Sequence, residues 1–125
     1  MFEIDNDKTI HLTRGDIAAL IVSAIDDTGK QYAFTIGDII RFKVVKKGQY
    51  DSIILVKDVI ISSESSTAEI SLSSTDTRIG EIINKPVTYW YEIELNPETA
   101  PQTIIGHDKH GPKLLCLYPE GDDTD

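Results

Sequence analysis

Residues 70–95, ISLSSTDTRIGEIINKPVTYWYEIEL, constrain the fold more than any other stretch. Ala68, Ile70 and Leu72 alternate with Glu69 and Ser71, the period-two pattern of a strand with one apolar face. The pattern stops at Ser73-Ser74, and an Asp-Thr turn follows at Asp76-Thr77. One helical turn fits near Thr75–Ile79, capped by Ser73, Ser74 or Thr75. A second strand then places Tyr89, Tyr91, Ile93 and Leu95 on one face and Trp90, Glu92 and Glu94 on the other. A strand, a turn and an aromatic strand in that order suit a chain crossing between the two sheets of an antiparallel β-sandwich.

The rest of the chain repeats this grammar. Thr9–Thr13 alternates and ends at Arg14-Gly15-Asp16. Residues 17–25 are nearly all apolar, which predicts a central strand covered on both faces. Asp26-Asp27-Thr28-Gly29-Lys30 is a turn cluster, and Tyr32-Ala33-Phe34 a short edge piece. Ile40, Phe42 and Val44 alternate with Arg41 and Lys43; residues 53–61 form a further apolar strand or pair of strands. Ser62–Ser66 reads as a hairpin loop. Pro97 and Pro101 exclude a central strand, because each removes a ladder donor. Thr103–Ile105 and Leu114–Tyr118 close the series around a glycine-bounded turn. Gly15-Asp16-Ile17 and Gly37-Asp38-Ile39 look like one turn-to-strand solution used twice. Seven to nine short strands with no helical period predict one all-β sandwich over residues 1–120, followed by an acidic flexible tail over 121–125.

Composition bounds function. The 125 residues fit one domain with a real core. Net charge is −9, and Glu120, Asp122, Asp123 and Asp125 concentrate part of it at the end. That balance opposes binding to nucleic-acid phosphates and anionic membrane surfaces. A single cysteine, Cys116, sits in the apolar run 114–117 and reads as a small buried hydrophobe; no intrachain disulfide can form. No signal segment or spanning apolar run is present, so a soluble cytoplasmic product is expected.

Chemical motifs are sparse. Arg14-Gly15-Asp16 spells an adhesion tripeptide, but it joins two strands, where glycine supplies a bend and aspartate accepts backbone N–H groups. His107, Asp108 and His110 offer a metal two imidazoles and a carboxylate, yet they sit together on one polar turn, with His11 far away in sequence. Neither a nucleophile elbow nor a phosphate-cradling loop is present. Glu92 and Glu94, at i and i+2, have the placement of an acid/base pair in a small hydrolase, but beside Trp90 they fit an exposed face better. The reading is therefore non-enzymatic, without catalytic residues, metal or cofactor. Trp90, Glu92 and Glu94 are the candidate partner-binding face, or Trp90 is the core residue and the tyrosines face outward; a one-residue slip in register exchanges the two. Exposed rings beside carboxylates also suit a carbohydrate-binding module.

Taken in order, the words are Leu12-Thr13-Arg14-Gly15-Asp16, Asp27-Thr28-Gly29, Tyr32-x-Phe34 and Gly37-Asp38-Ile39-Ile40-x-Phe42-x-Val44. Asp76-Thr77, Tyr89-x-Tyr91-x-Ile93-x-Leu95, Thr103-Ile104-Ile105 and the closing strand from Leu114 to Glu120 follow. This order, over residues 8–120, resembles the small immunoglobulin-like modules of phage and prophage tails, and is similar to the N-terminal domain of upper baseplate proteins. The resemblance implies a virion structural module, in the tail or baseplate or in the host cytoplasm during assembly. It implies contacts with other tail proteins or with itself, as a homo-oligomer or part of a larger assembly. Arg14, Gly15 and Asp16 would shape the first inter-strand turn, and Asp76 and Thr77 the crossover. The spacer Gly80–Thr88 is longer than the compact approach of that family. The chain also ends at the module, as a stand-alone protein or as a domain of a longer one.

Overall fold

The computed structural model describes residues 1–26, 28–81 and 83–120. The strands are β1 (Phe2–Ile4), β2 (Ile10–Thr13), β3 (Ala18–Val22), β4 (Ile39–Lys46), β5 (Gln49–Ile60), β6 (Ala68–Leu72), β7 (Val87–Leu95), β8 (Gln102–Ile105) and β9 (Lys113–Tyr118). One helical turn, α1 (Ser74–Thr77), separates β6 from β7. The fold is an all-β sandwich. A seven-stranded sheet runs β1-β2-β9-β7-β4-β5, with β8 also on β7, and a two-stranded sheet pairs β3 with β6. All pairs are antiparallel except β2–β9, which joins the first and last parts of the chain in parallel. The predicted tail, residues 121–125, and Asp27 of the first turn cluster lie outside the described residues.

Alternation places the core as the sequence pattern requires. Ile40, Phe42 and Val44 on β4 and Tyr91, Ile93 and Leu95 on β7 point inward. They meet Leu20 and Val22 on β3 and Ala68, Ile70 and Leu72 on β6. The register of β7 is thereby settled: Tyr91 is core at 2 % exposure, while Trp90, Glu92 and Glu94 stand on the outer face, half-buried.

Residues 17–25 depart from expectation. They are covered on one face only, in the order exposed, buried, exposed. Their neighbour β6 is the only strand beside them, and no third layer lies over the outer face among the described residues. An apolar run has the same composition whether its second face meets protein or water, so the sequence pattern could not separate the cases. The loop 62–66 likewise joins strands of different sheets and is a crossover, not a hairpin. Residues 32–34 form no strand; Phe34 instead makes an isolated bridge to Ser65. Cys116 is half-buried beside the Thr88 hydroxyl, because its strand position faces outward between Leu115 and Leu117.

The small sheet is fastened at both ends. At one end, the Gly15 N–H donates to Thr77 Oγ1 at 3.0 Å, and the Thr77 hydroxyl donates to the Asp16 carbonyl at 2.7 Å. The β2–β3 and β6–β7 crossovers are thus tied through one side chain with no exposed surface. Ser73 caps α1 reciprocally with Asp76: Ser73 Oγ accepts from Asp76 N–H and an Asp76 oxygen accepts from Ser73 N–H. At the other end, Phe34 and Ser65 exchange backbone hydrogen bonds, the Gly37 N–H donates to the Ile61 carbonyl, and the Ile61 N–H donates to the Asp38 carbonyl. Buried Asp38 accepts from Tyr32 Oη at 2.7 Å, Thr35 N–H at 2.9 Å and Asn96 Nδ2 at 3.1 Å. Thr-x-Gly-Asp forms the same turn twice. Asp16 N–H reaches Thr13 O and Asp38 N–H reaches Thr35 O, with Gly15 at φ 90° and Gly37 at φ 95°. That left-handed backbone favours glycine, and a Cβ on Gly15 would also overlap the Glu120 carboxylate.

Thr77→Val keeps the side-chain shape but strands the Gly15 N–H and the Asp16 carbonyl. Urea denaturation is expected to show a loss of about 2 kcal/mol, and a loss below experimental error would refute the fastening role.

Asp38 gives a pH test. Burial opposes its charge, but the hydrogen bonds from Thr35, Tyr32 and Asn96 outweigh it and hold the carboxyl below the usual range. Its folded pKa is depressed, so its contribution is complete above the unfolded value of about 4 and fades as pH falls through the folded one. Asp38→Asn is expected to cost about 2 kcal/mol near neutrality. The gap to wild type should close on acidification; a gap independent of pH would assign the loss to shape alone.

Candidate functional site

The face carrying Trp90, Glu92 and Glu94 is assembled by strand register. Opposite them on β4 lie Val45, Lys43 and Arg41 in that order. Lys43 Nζ sits 2.9 Å from Glu92 Oε1 and 3.6 Å from Glu94 Oε1, with all three side chains about four-fifths covered. The hydrogen bond to Glu92 is the main reason the Lys43 ammonium is held above its usual range. Arg41 continues the row with a two-pronged bond to Asp58, at 2.8 and 3.0 Å, and a contact to Glu98. The two glutamates therefore share one ammonium. That arrangement suits a cross-strand charge ladder; a carboxylate pair set to exchange a proton would need one member kept neutral.

Trp90 belongs to a second, smaller apolar cluster on this outer face. Val45 lies opposite it, only 1 % exposed and outside the main core cluster. Tyr50 from β5 packs on the indole at 5.2 Å between ring centroids, and His107, from the loop after β8, meets it edge-on at 6.2 Å. Tyr50 Oη and His107 Nδ1 are 3.2 Å apart. Burial, then the Glu92 charge, push the Tyr50 phenol up. The indole Nε1 is buried and meets no acceptor among the described residues. The sequence grouped Trp90 with Glu92 and Glu94, left open whether that face was core, and missed Val45, Tyr50 and His107. They come from elsewhere in the chain, and alternation within β7 carries no information about them.

The other sequence candidates are placed as follows. Arg14 is buried; its guanidinium donates to the Gly80 carbonyl at 3.3 Å and lies 3.7 Å from Glu120. Asp16 receives the N-terminal ammonium. The tripeptide is thus a tied turn with its arginine turned inward. Glu120, grouped with the tail by composition, is folded in: it also takes Arg78 at 2.9 Å. On the 106–112 turn, Asp108 accepts from His110 N–H and from Lys113 Nζ, while His107 turns to Tyr50 and Trp90. His11 lies between Asp5 and Tyr118, at 2.7 and 2.9 Å. The His11 and His107 imidazoles thus have separate partners, and no group of three or more His, Cys, Asp or Glu converges among the described residues. No helix among them is long and apolar enough to cross a membrane.

Trp90 is the only tryptophan, so its emission reports this cluster directly. Tyr50→Ala is expected to shift the emission maximum to the red and to raise acrylamide quenching severalfold. An unchanged spectrum would place Tyr50 off the indole. Comparison with protein-family models, with characterised proteins and with solved structures finds no match to this chain.

Proposed function

We infer that this chain is a non-enzymatic assembly module of a phage or prophage tail or baseplate, immunoglobulin-like in type, that works by protein–protein contact. The observation that carries the contact reading is the uncovered face of β3. Ile21 on β3 is 61 % exposed, and Ile17 just before the strand and Ile25 just past it are 78 % and 74 % exposed, all at odd positions of the run 17–25. Isolated apolar residues on a surface are ordinary; three exposed isoleucines along one edge segment are a contact surface. Three more, Ile53, Val56 and Ile60, are exposed along the opposite edge strand β5. The tail assignment draws on the order of motifs, and the docking of Arg14-Gly15-Asp16 on Asp76-Thr77 suits the shaping roles that the resemblance gives both turns.

A carbohydrate-binding module is the second reading, favoured by Tyr50, Trp90 and His107 beside Glu92. Its weakness is that Tyr50 and His107 occupy the indole that a sugar ring would need. Co-expression with the products of adjacent genes, followed by size exclusion, is expected to yield a stoichiometric complex with a tail protein and no signal on a glycan array. No complex, together with a glycan signal abolished by Trp90→Ala, would reverse the order of the two readings.

A further inference from the structure

We propose that β3 pairs edge-to-edge with β3 of a second copy, antiparallel and centred on Ile21, so that two small sheets become one four-stranded sheet. This rests on the protein-contact reading above and names its partner. The first support is the edge itself. Among the described residues β3 has β6 on one side and no strand on the other, so one row of its backbone donors and acceptors faces outward; just past its end Ile25 bridges Gln31. Natural sheets protect such edges with charge, proline or brevity. Here β1 carries Glu3, β5 carries Asp51, Lys57 and Asp58, β6 carries Glu69, and β8 is four residues long. Residues 17–25 hold nine positions without a charge or a proline.

The second support is symmetry. With the pairing continued past both ends of β3, two copies of residues 17–25 meeting about a two-fold axis at Ile21 oppose Ile17 with Ile25 and Ala19 with Ser23. The axis sets Ile21 against itself. The three exposed isoleucines are therefore self-complementary in this register and in no neighbouring one. Like charge is the main objection to self-association in a chain of net charge −9. It is absent from the seam and confined to its ends, where Asp16 would face Asp26. Both are already engaged: Asp16 by the N-terminal ammonium, and Asp26 by the Thr28 N–H and hydroxyl and the Lys30 N–H. A second copy is favoured over a foreign strand because a foreign strand would have to match this uncharged, isoleucine-spaced edge by coincidence, and a copy matches it by symmetry.

The register is tested by single cysteines on a Cys116→Ala background under mild oxidation. Opposed residues have Cα atoms about 4.5–5.5 Å apart, within disulfide reach. Ile21→Cys is expected to cross-link to itself. Ala19→Cys alone should not, its two copies lying about 13 Å apart, whereas a mixture of Ala19→Cys and Ser23→Cys should. Light scattering across protein concentration is expected to give a dimer that Ile21→Lys, an exposed and fold-neutral change checked by circular dichroism, converts to monomer. A dimer that survives Ile21→Lys, or equal cross-linking at 19 and 21, overturns this pairing while leaving the contact reading intact. A wild-type monomer at every concentration overturns self-pairing; the contact reading then stands or falls on the co-expression result.

Discussion

Among the described residues the two-stranded sheet has no further strand beside it, and its position over the larger sheet depends on what fastens its ends. Four crossovers connect the two sheets, two at each end of β3 and β6. At the Ala18–Leu72 end the Thr77 hydroxyl holds both crossovers at once, accepting from Gly15 and donating to Asp16. At the Val22–Ala68 end the Phe34–Ser65 exchange and the Asp38 carboxylate do the equivalent. Buried apolar contact between the sheets supplies most of the free energy, but it is non-directional and would tolerate sliding. The hydrogen bonds at the ends are directional, and each leaves a buried donor or acceptor unpaired if the sheets shift. Registration of the sandwich is therefore a property of its turns.

Much of this was legible in the residues. Alternation placed the inward face of β4 and divided β7 into its two faces, but a period of two alone left open which face of β7 was core, and the structure chose Tyr91 over Trp90. A helical turn was legible near Thr75–Ile79 with Ser73 among three candidate caps; it forms at Ser74–Thr77 with Ser73 as the cap. The repeated Gly-Asp-Ile words formed the same turn at Gly15 and Gly37, since a glycine at positive φ is a local requirement that local sequence records.

What the sequence hid was non-local. The parallel pairing of β2 with β9 joins residues about a hundred positions apart, and no local pattern encodes it. Asp38 and Asn96, or Thr77 and Gly15, lie about sixty residues apart and meet only once the sheets are stacked. The Trp90 cluster gathers Val45, Tyr50 and His107 by the same route. Residues 17–25 are the instructive failure. A run without polar alternation reads as buried on both sides, yet its outer face is open, and the burial implied by those isoleucines has no source within the described residues.

That mismatch and the charge distribution bear on one another. The outer face of the large sheet carries its charges in cross-strand pairs, Arg41 with Asp58 and Lys43 with Glu92 and Glu94, so this face is satisfied internally. Desolvating it against a partner would sacrifice hydration of those ions with no new pairing in return. The 17–25 edge has only carbon, the Ser23 hydroxyl and an unpaired backbone row to bring into contact, for which association is favourable. The net negative charge then acts as a filter on where contact occurs. It raises the barrier to approach over most of the surface and leaves the uncharged strand as the place where two copies meet with least repulsion.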